Sequence, residues 1–409
     1  MTKRRAEVRR RRVFYIPGYD PFHPRRYREL YRKEGAAQAA LSGYTLAVRA
    51  RTGQGYGWHV RAEIDGARVE TEFEVLTWSD IVRVSMAQGL GATYLQMLAV
   101  IGVYFGSGAV FRLARLRKGP ILAGFYPVAM LLVQLALALL AGWGAWRLAV
   151  LALPGWAGGV IAAGAIWAVL AIFRQWDARL FVYYLMHDLA FTAQDGGAYP
   201  AALEARLVDF RQRIHAALAG GADEVLVVGH STGAHLAISV LADLLRGGRP
   251  ADGTALSLLT LGQSVPMASF LPRADRLRAD LRLLAGSDAI AWVDVTAPGD
   301  GCAFALCDPV AVTGVAPEGK RWPLVLSCAF TRSLKPATWK RLRWRFFRLH
   351  FQYLCAFDNL PGHADDYDYF RTTAGPQTLA ARYAGRPPSK SRIETPTSGY
   401  TSRQGARAA

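Results

Sequence analysis

Residues 224–245 read EVLVVGHSTGAHLAISVLADLL, and the reading of this stretch decides the fold. A short apolar run, Val225 to Val228, precedes Gly229-His230-Ser231-Thr232-Gly233. An amphipathic helical stretch follows, with Leu236, Val240, Leu241 and Leu244 near one face. Strand, G-x-S-x-G and helix in that order form a nucleophile elbow, a tight turn that lifts a serine hydroxyl above a sheet edge. Gly229 and Gly233 fit because a Cβ at either position would collide with a neighbouring strand or helix. The first turn of the helix then lies beneath Ser231, and its free N–H groups favour a developing negative charge. The bland alternative is a Gly/Ser turn with no chemistry.

Outward from the elbow, the pattern alternates. VFYI at 13–16 reads as a buried strand, and the pattern from about Arg25 to Leu41 as a helix. Residues 44–51, 57–64 and 70–78 read as strands, residues 201–219 as a helix, and 257–265 and 289–298 as further strands. Strands alternating with helices predict an α/β fold with a mostly parallel sheet and helices on both faces.

The middle third departs from this. Gly119 to Trp146 is 28 residues without a formal charge, and Leu148 to Phe173 is 26 more, separated only by Arg147. Each exceeds the roughly 20 residues that cross a bilayer core. A transmembrane hairpin over 119–174 is therefore expected to interrupt the α/β domain, with Trp143, Trp146, Trp156 and Trp176 near the interfaces. The uncharged run Gly89–Phe111 carries five glycines, Thr93, Gln96 and Ser107, and reads as an interfacial or domain-packed helix. The expected organisation is a basic segment 1–12, parts 13–88 and 175–385 of one α/β domain, an interfacial helix and linker 89–118, and a disordered tail 386–409 rich in Pro, Ser, Thr, Gly and Arg.

The formal net charge is +18, with clusters at Lys3–Arg12, 112–118 and Lys335–Arg348. Beside apolar spans, such clusters point to the cytoplasmic side and to anionic headgroups. Nucleic acid is not expected as a partner, since no recognisable binding module accompanies the charge. Two spans with both termini and the catalytic domain in the cytoplasm satisfy every cluster, and one sheet built from both flanking parts also requires an even number. The cysteines 302, 307, 328 and 355 form no CxxC pair, which argues against zinc.

A serine nucleophile needs a base, and the base an orienting carboxylate. With the elbow order Ser, acid, His, the acid candidate is Asp300 in WVDVTAPGDGCAF, in a Pro-Gly turn after a strand. Asp294, inside the strand, and Asp308, just beyond the turn, are alternatives. The base candidate is His363 in the loop DNLPGHADDYDYF, and His350 is the alternative, in a stretch that reads as a regular face with a structural or interfacial role. His230 is expected to point away from Ser231. The oxyanion would take the N–H of Thr232 and a second donor at Tyr19, in VFYIPGYDP, where Gly18 permits close approach.

On these residues the chain resembles the α/β-hydrolase superfamily, of the GHSxG lipase and esterase type, over 13–80 and 180–385. The resemblance implies a serine acyl-enzyme mechanism without a cofactor, acting on an acyl ester or lipid. PGYD in place of an HG or HGGG segment and the membrane insertion depart from that pattern. The alternatives are a membrane-associated interaction protein that keeps the fold without the chemistry, and a serine enzyme acting on a thioester or amide.

Overall fold

The computed structural model describes residues 7–53, 55–248, 253–360 and 367–403. Eight strands, β1 (Arg10–Ile16), β2 (Thr45–Ala50), β3 (Tyr56–Ile64), β4 (Ala67–Val75), β5 (Glu224–His230), β6 (Ala255–Leu261), β7 (Ala291–Thr296) and β8 (Leu324–Ser327), form one sheet in the order β2-β3-β4-β1-β5-β6-β7-β8. The two pairings of β3 are antiparallel and all others are parallel. β1 sits centrally, with Val13 opposite Phe73 on one side and Leu226 on the other. The parts of the chain on either side of the apolar insertion therefore share one sheet.

Both faces of the sheet are covered. Val13, Tyr15, Leu226, Val228, Leu259 and Val293 point into a core with α1 (Arg25–Ser42) and the C-terminal residues 349–383. Their neighbours Phe14, Ile16, Val225, Val227 and Leu258 point into a second core with helices Ala201–Leu218, Gly233–Arg246 and Asp275–Gly286. That alternation explains why β5, β6 and β7 are buried along their whole length and read as continuous apolar runs.

Between the two halves lie α2 (Ser79–Met86), α3 (Leu90–Gly106), α4 (Ala109–Leu116), α5 (Lys118–Ala149) and α6 (Gly155–Gln175). Among the described residues, α5 and α6 are each long and apolar enough to cross a membrane. A third candidate arises only if α2 and α3, which meet at 104°, are taken as one broken span. α3 buries Thr93, Met97, Val100 and Tyr104 and leaves Leu95 and Leu98 exposed, so one face is packed and the other is not.

Two sequence expectations are corrected. The basic segment 1–12 does not stay apart from the sheet, because β1 begins at Arg10. Arg11 is fully buried and donates to Glu224 at 2.7 Å, while Arg12 pairs with Glu72 and Glu74. These arginines are neutralised inside the domain by carboxylates on β4 and β5, which a count of positive residues does not reveal. The second correction concerns the tail. Over 386–403 it lies along the domain through backbone bonds: Ser389 N–H to Val325 at 2.8 Å, Ile393 N–H to Leu306 at 2.7 Å and Thr397 N–H to Val312 at 2.9 Å. Arg278 donates to the Ser402 carbonyl at 2.7 Å. Those backbone bonds hold the tail on the domain although its side chains are half-buried or exposed.

Candidate active site

β5 ends at His230, and the helix Gly233–Arg246 begins three residues later. Ser231 occupies the turn at φ +57°, a left-handed conformation uncommon for a residue with a Cβ and frequent at functional turns. Its N–H is fixed by the Leu261 carbonyl at 3.0 Å, and its own carbonyl accepts from Ala234 at 3.0 Å. The flanking glycines are sterically required. A Cβ at Gly233 would lie 2.2 Å from the Ile16 carbonyl oxygen, and one at Gly229 would lie 2.7 Å from the Cα of Ala234. Ser231 is half-buried, while His230 and Thr232 on either side are buried.

The loop after β1 comes against this turn. A Cβ at Gly18 would lie 3.0 Å from Ser231 Cβ and 3.5 Å from its Oγ, so the Pro17-Gly18-Tyr19 backbone runs directly beside the hydroxyl. Trp78 holds the loop from one side, donating to the Pro17 carbonyl at 3.0 Å. The Tyr184 hydroxyl donates to the Tyr19 carbonyl, and Asp20 accepts from Phe22 N–H and from the Tyr27 hydroxyl. The backbone N–H groups of Tyr19 and Thr232 donate to no other backbone group among the described residues.

One cavity, open to solvent at its mouth, is lined by Gly18, Tyr19, Ser231, Thr232 and His350 together with residues of α5 and of the helix Val182–Ala193. His350 closes the short helix Phe346–His350. Its Nδ1 lies 2.7 Å from Asp300 Oδ2. An ionised carboxylate only accepts, so Nδ1 carries the proton and Nε2 is left with the lone pair. That Nε2 is buried and has no hydrogen-bond partner among the described residues.

Asp300 also accepts from the Tyr353 hydroxyl at 2.9 Å and from Cys302 N–H at 2.9 Å. Burial opposes its ionisation, but the His350 ring and these donors outweigh it and hold the carboxyl below its ordinary value. His230 donates from Nε2 to the His350 carbonyl at 3.0 Å, with the two rings 4.8 Å apart. Burial first, and then the His350 charge, push its pKa down to about 3, so His230 is a neutral strut under the His350 segment.

The other candidates sort by their partners. Asp294 accepts from Thr260 at 2.6 Å inside the sheet, and burial pushes it up to about 8. Asp308 caps the short helix Pro309–Val312 through Val310 and Ala311 N–H and pairs with Lys320. Both are structural contacts of the chain with itself. His363 lies outside the described residues. Asp300, Cys302 and His350 present ligand atoms within 4.8 Å of one another. Burial, then Asp300 and Asp188, push the Cys302 thiol up, so it stays protonated and is a poor metal ligand.

Sequence reasoning placed His350 second to His363 and expected a structural or interfacial role for it, whereas its ring faces Asp300. The basic stretch breaks into two helices, Pro336–Leu342 and Phe346–His350, and His350 projects from the end of the second as a loop residue would. It also missed Asp188, which lines the same cavity from the helix Val182–Ala193. Its Oδ1 is sealed from solvent without a partner. Burial pushes its carboxyl up to about 7, with His350 opposing. A folded-state value above the ordinary 3.8 means that the folded form binds the proton more tightly. The associated stability is fully present below about pH 4 and is lost as pH rises toward 7. Asp188→Asn removes that loss. Its melting temperature should exceed the wild-type value by more at pH 8 than at pH 5, a difference of roughly 1–3 kcal/mol between the two conditions. Thermal unfolding of both proteins at the two pH values checks this, and an equal offset at both sinks it.

Comparison with protein-family models, with curated proteins and with solved structures yields no match.

Proposed function

We propose that this chain is a membrane-anchored serine hydrolase of the α/β-hydrolase type, acting on an acyl ester, most naturally that of a lipid. One observation carries the reading. Ser231 stands at φ +57° on a strand-to-helix turn and shares a cavity with His350, whose Nδ1 is held by Asp300 and whose Nε2 is free.

In this scheme Ser231 Oγ attacks the ester carbonyl carbon as its proton passes to His350 Nε2. Asp300 stabilises the imidazolium and keeps the ring in the productive tautomer. The carbonyl oxygen, now an anion, takes the N–H groups of Thr232 and Tyr19. Collapse breaks the ester C–O bond, and the leaving alcohol receives the proton from His350. Water then attacks the acyl-enzyme by the same route in reverse. Ser231 Oγ and His350 Nε2 share the cavity without a hydrogen bond between them, and catalytic bonds of this kind commonly tighten only when substrate binds.

Several features support a membrane setting. α5 and α6 are long and apolar enough to span a bilayer. Because β1 and β5 pair, the segments flanking the insertion lie on one side, which favours two crossings. Trp344 and Phe346 are exposed among Arg341, Arg343 and Arg345, immediately before His350, a composition suited to an anionic lipid surface. With the positive clusters inside, the catalytic domain faces the cytoplasm.

A fluorophosphonate probe tests the scheme. The full-length protein in detergent is expected to be labelled at Ser231 and to release p-nitrophenol from short acyl esters, with both signals absent in Ser231→Ala. A folded wild-type protein that takes no label is instead a scaffold without the chemistry. A panel of thioesters and amides beside the esters fixes the acyl linkage.

A further inference from the structure

A second, apolar cavity adjoins the one at Ser231. Its walls come from α3, α4 and the first third of α5, through residues such as Val100, Ile101, Leu113, Ile121 and Val128, and no charged side chain lines it. The two cavities share Pro120, Gly124, Leu189 and Met267. Tyr104, the most polar of the lining side chains, spends its hydroxyl on the Met267 carbonyl at 3.1 Å and offers only ring surface. The cavity that holds the nucleophile therefore shares walls with one that has nothing to offer but apolar contact.

Gly124 is the smallest of the four residues at the junction. A Cβ placed at Gly124 would lie 3.8 Å from Leu189 Cδ2 and 3.9 Å from Met267 Cε. That is ordinary contact for a single carbon and leaves no space for a larger group. Gly124 thus keeps open the passage between the polar and apolar cavities.

α5 joins this passage to the bilayer. Its 32 residues extend about 48 Å, against roughly 30 Å of hydrocarbon. The surplus is enough for its first turns to belong to the domain while the rest crosses the membrane. Pro120 and Gly124 face the nucleophile cavity, and Val128, one turn further on, faces the apolar one. From Pro120 to Val128 the groove follows α5 for about 12 Å.

We propose that this groove holds the acyl chain of a bilayer lipid ester, with Gly124 and Val128 determining which chain lengths are accepted. The inference rests on the hydrolase reading above and names its substrate class. The carbonyl lies at Ser231, the chain passes Gly124 and lies along α3, α4 and α5, and the headgroup stays in the open mouth. Each methylene moved from water into such a groove strengthens binding about fourfold. Wild-type kcat/KM should therefore climb with chain length until the groove is full.

The test uses full-length protein in detergent with p-nitrophenyl butyrate and p-nitrophenyl laurate. The wild type is expected to prefer laurate. Gly124→Phe should lower the laurate-to-butyrate ratio of kcat/KM at least tenfold. Val128→Phe, further from Ser231, should lower the same ratio and gives the reading where the first variant does not fold. A ratio unchanged within twofold in the folded variants, or a wild type that labels at Ser231 yet shows no chain-length preference, overturns the groove alone. A wild type that cleaves neither ester and takes no fluorophosphonate overturns the hydrolase reading, and the groove with it.

Discussion

Replacing His350 by alanine is expected to lower kcat/KM for a short acyl ester by about 10⁴- to 10⁶-fold, the range seen when the base of a serine triad is removed. The expectation follows from the tautomer. Asp300 holds Nδ1–H at 2.7 Å, so Nε2 is the one basic nitrogen of that ring, and it lies in the cavity that contains Ser231. Without it, the Ser231 hydroxyl has no group to receive its proton. The variant should remain folded, because Asp300 keeps its bonds from Tyr353 and Cys302. His363→Ala, assayed beside it, should leave the rate close to wild type. Full activity in His350→Ala with loss in His363→Ala would return the base to His363. p-Nitrophenyl butyrate turnover and the rate of fluorophosphonate labelling read both variants.

That pair of histidines shows where the sequence was legible. The elbow could be read because its chemistry is local: two glycines, a serine and a β-branched run, all within ten residues. The strands at 13–16, 57–64 and 225–228 could be read for the same reason, the first and last as short apolar runs and the second from its alternation. Asp300 was found from its Pro-Gly turn after a strand. His350 stood second to His363, because its placement depends on a helix break at 343–345 that no glycine or proline marks and on His230 beneath it, 120 positions away in sequence. Asp188 escaped for a related reason. Nothing in LFVYYLMHDLAF marks which side of that helix faces a cavity until α5 is packed against it. The arginines of β1 were misread because the carboxylates that neutralise them lie on other strands.

Those same arginines carry the largest expected stability effect. Arg11→Ala should cost about 3–5 kcal/mol, the range for breaking one side of a buried ion pair. Arg11 donates from Nε to Glu224 at 2.7 Å and from a terminal nitrogen to the Gly375 carbonyl at 2.8 Å. Glu224 also accepts from Ser257 at 2.6 Å and from Leu379 N–H at 2.7 Å. Removing the guanidinium leaves a carboxylate deep under the sheet with half its compensation, and leaves the Gly375 carbonyl without its donor. Arg11→Lys should recover little, since an ammonium cannot make both contacts in the planar geometry of the original. Arg61→Ala, an exposed pair with Glu70, serves as control and should cost less than about 1 kcal/mol. Urea or thermal unfolding of the three variants checks the order, and an Arg11→Ala protein as stable as the Arg61→Ala control would sink the argument.

The central place of β1 has a consequence for how the protein is made. Arg11 and Glu224 are 213 positions apart, yet they are partners in adjacent strands. A ribosome adding about 5–20 residues per second takes roughly 10–40 seconds to travel between them. During that interval β2, β3, β4 and β1 can assemble as a half-sheet, with one flank of β1 unpaired and prone to stick to other chains. The apolar insertion emerges within the same interval, so a stretch long and apolar enough to span a membrane leaves the ribosome before the two halves of the sheet can meet.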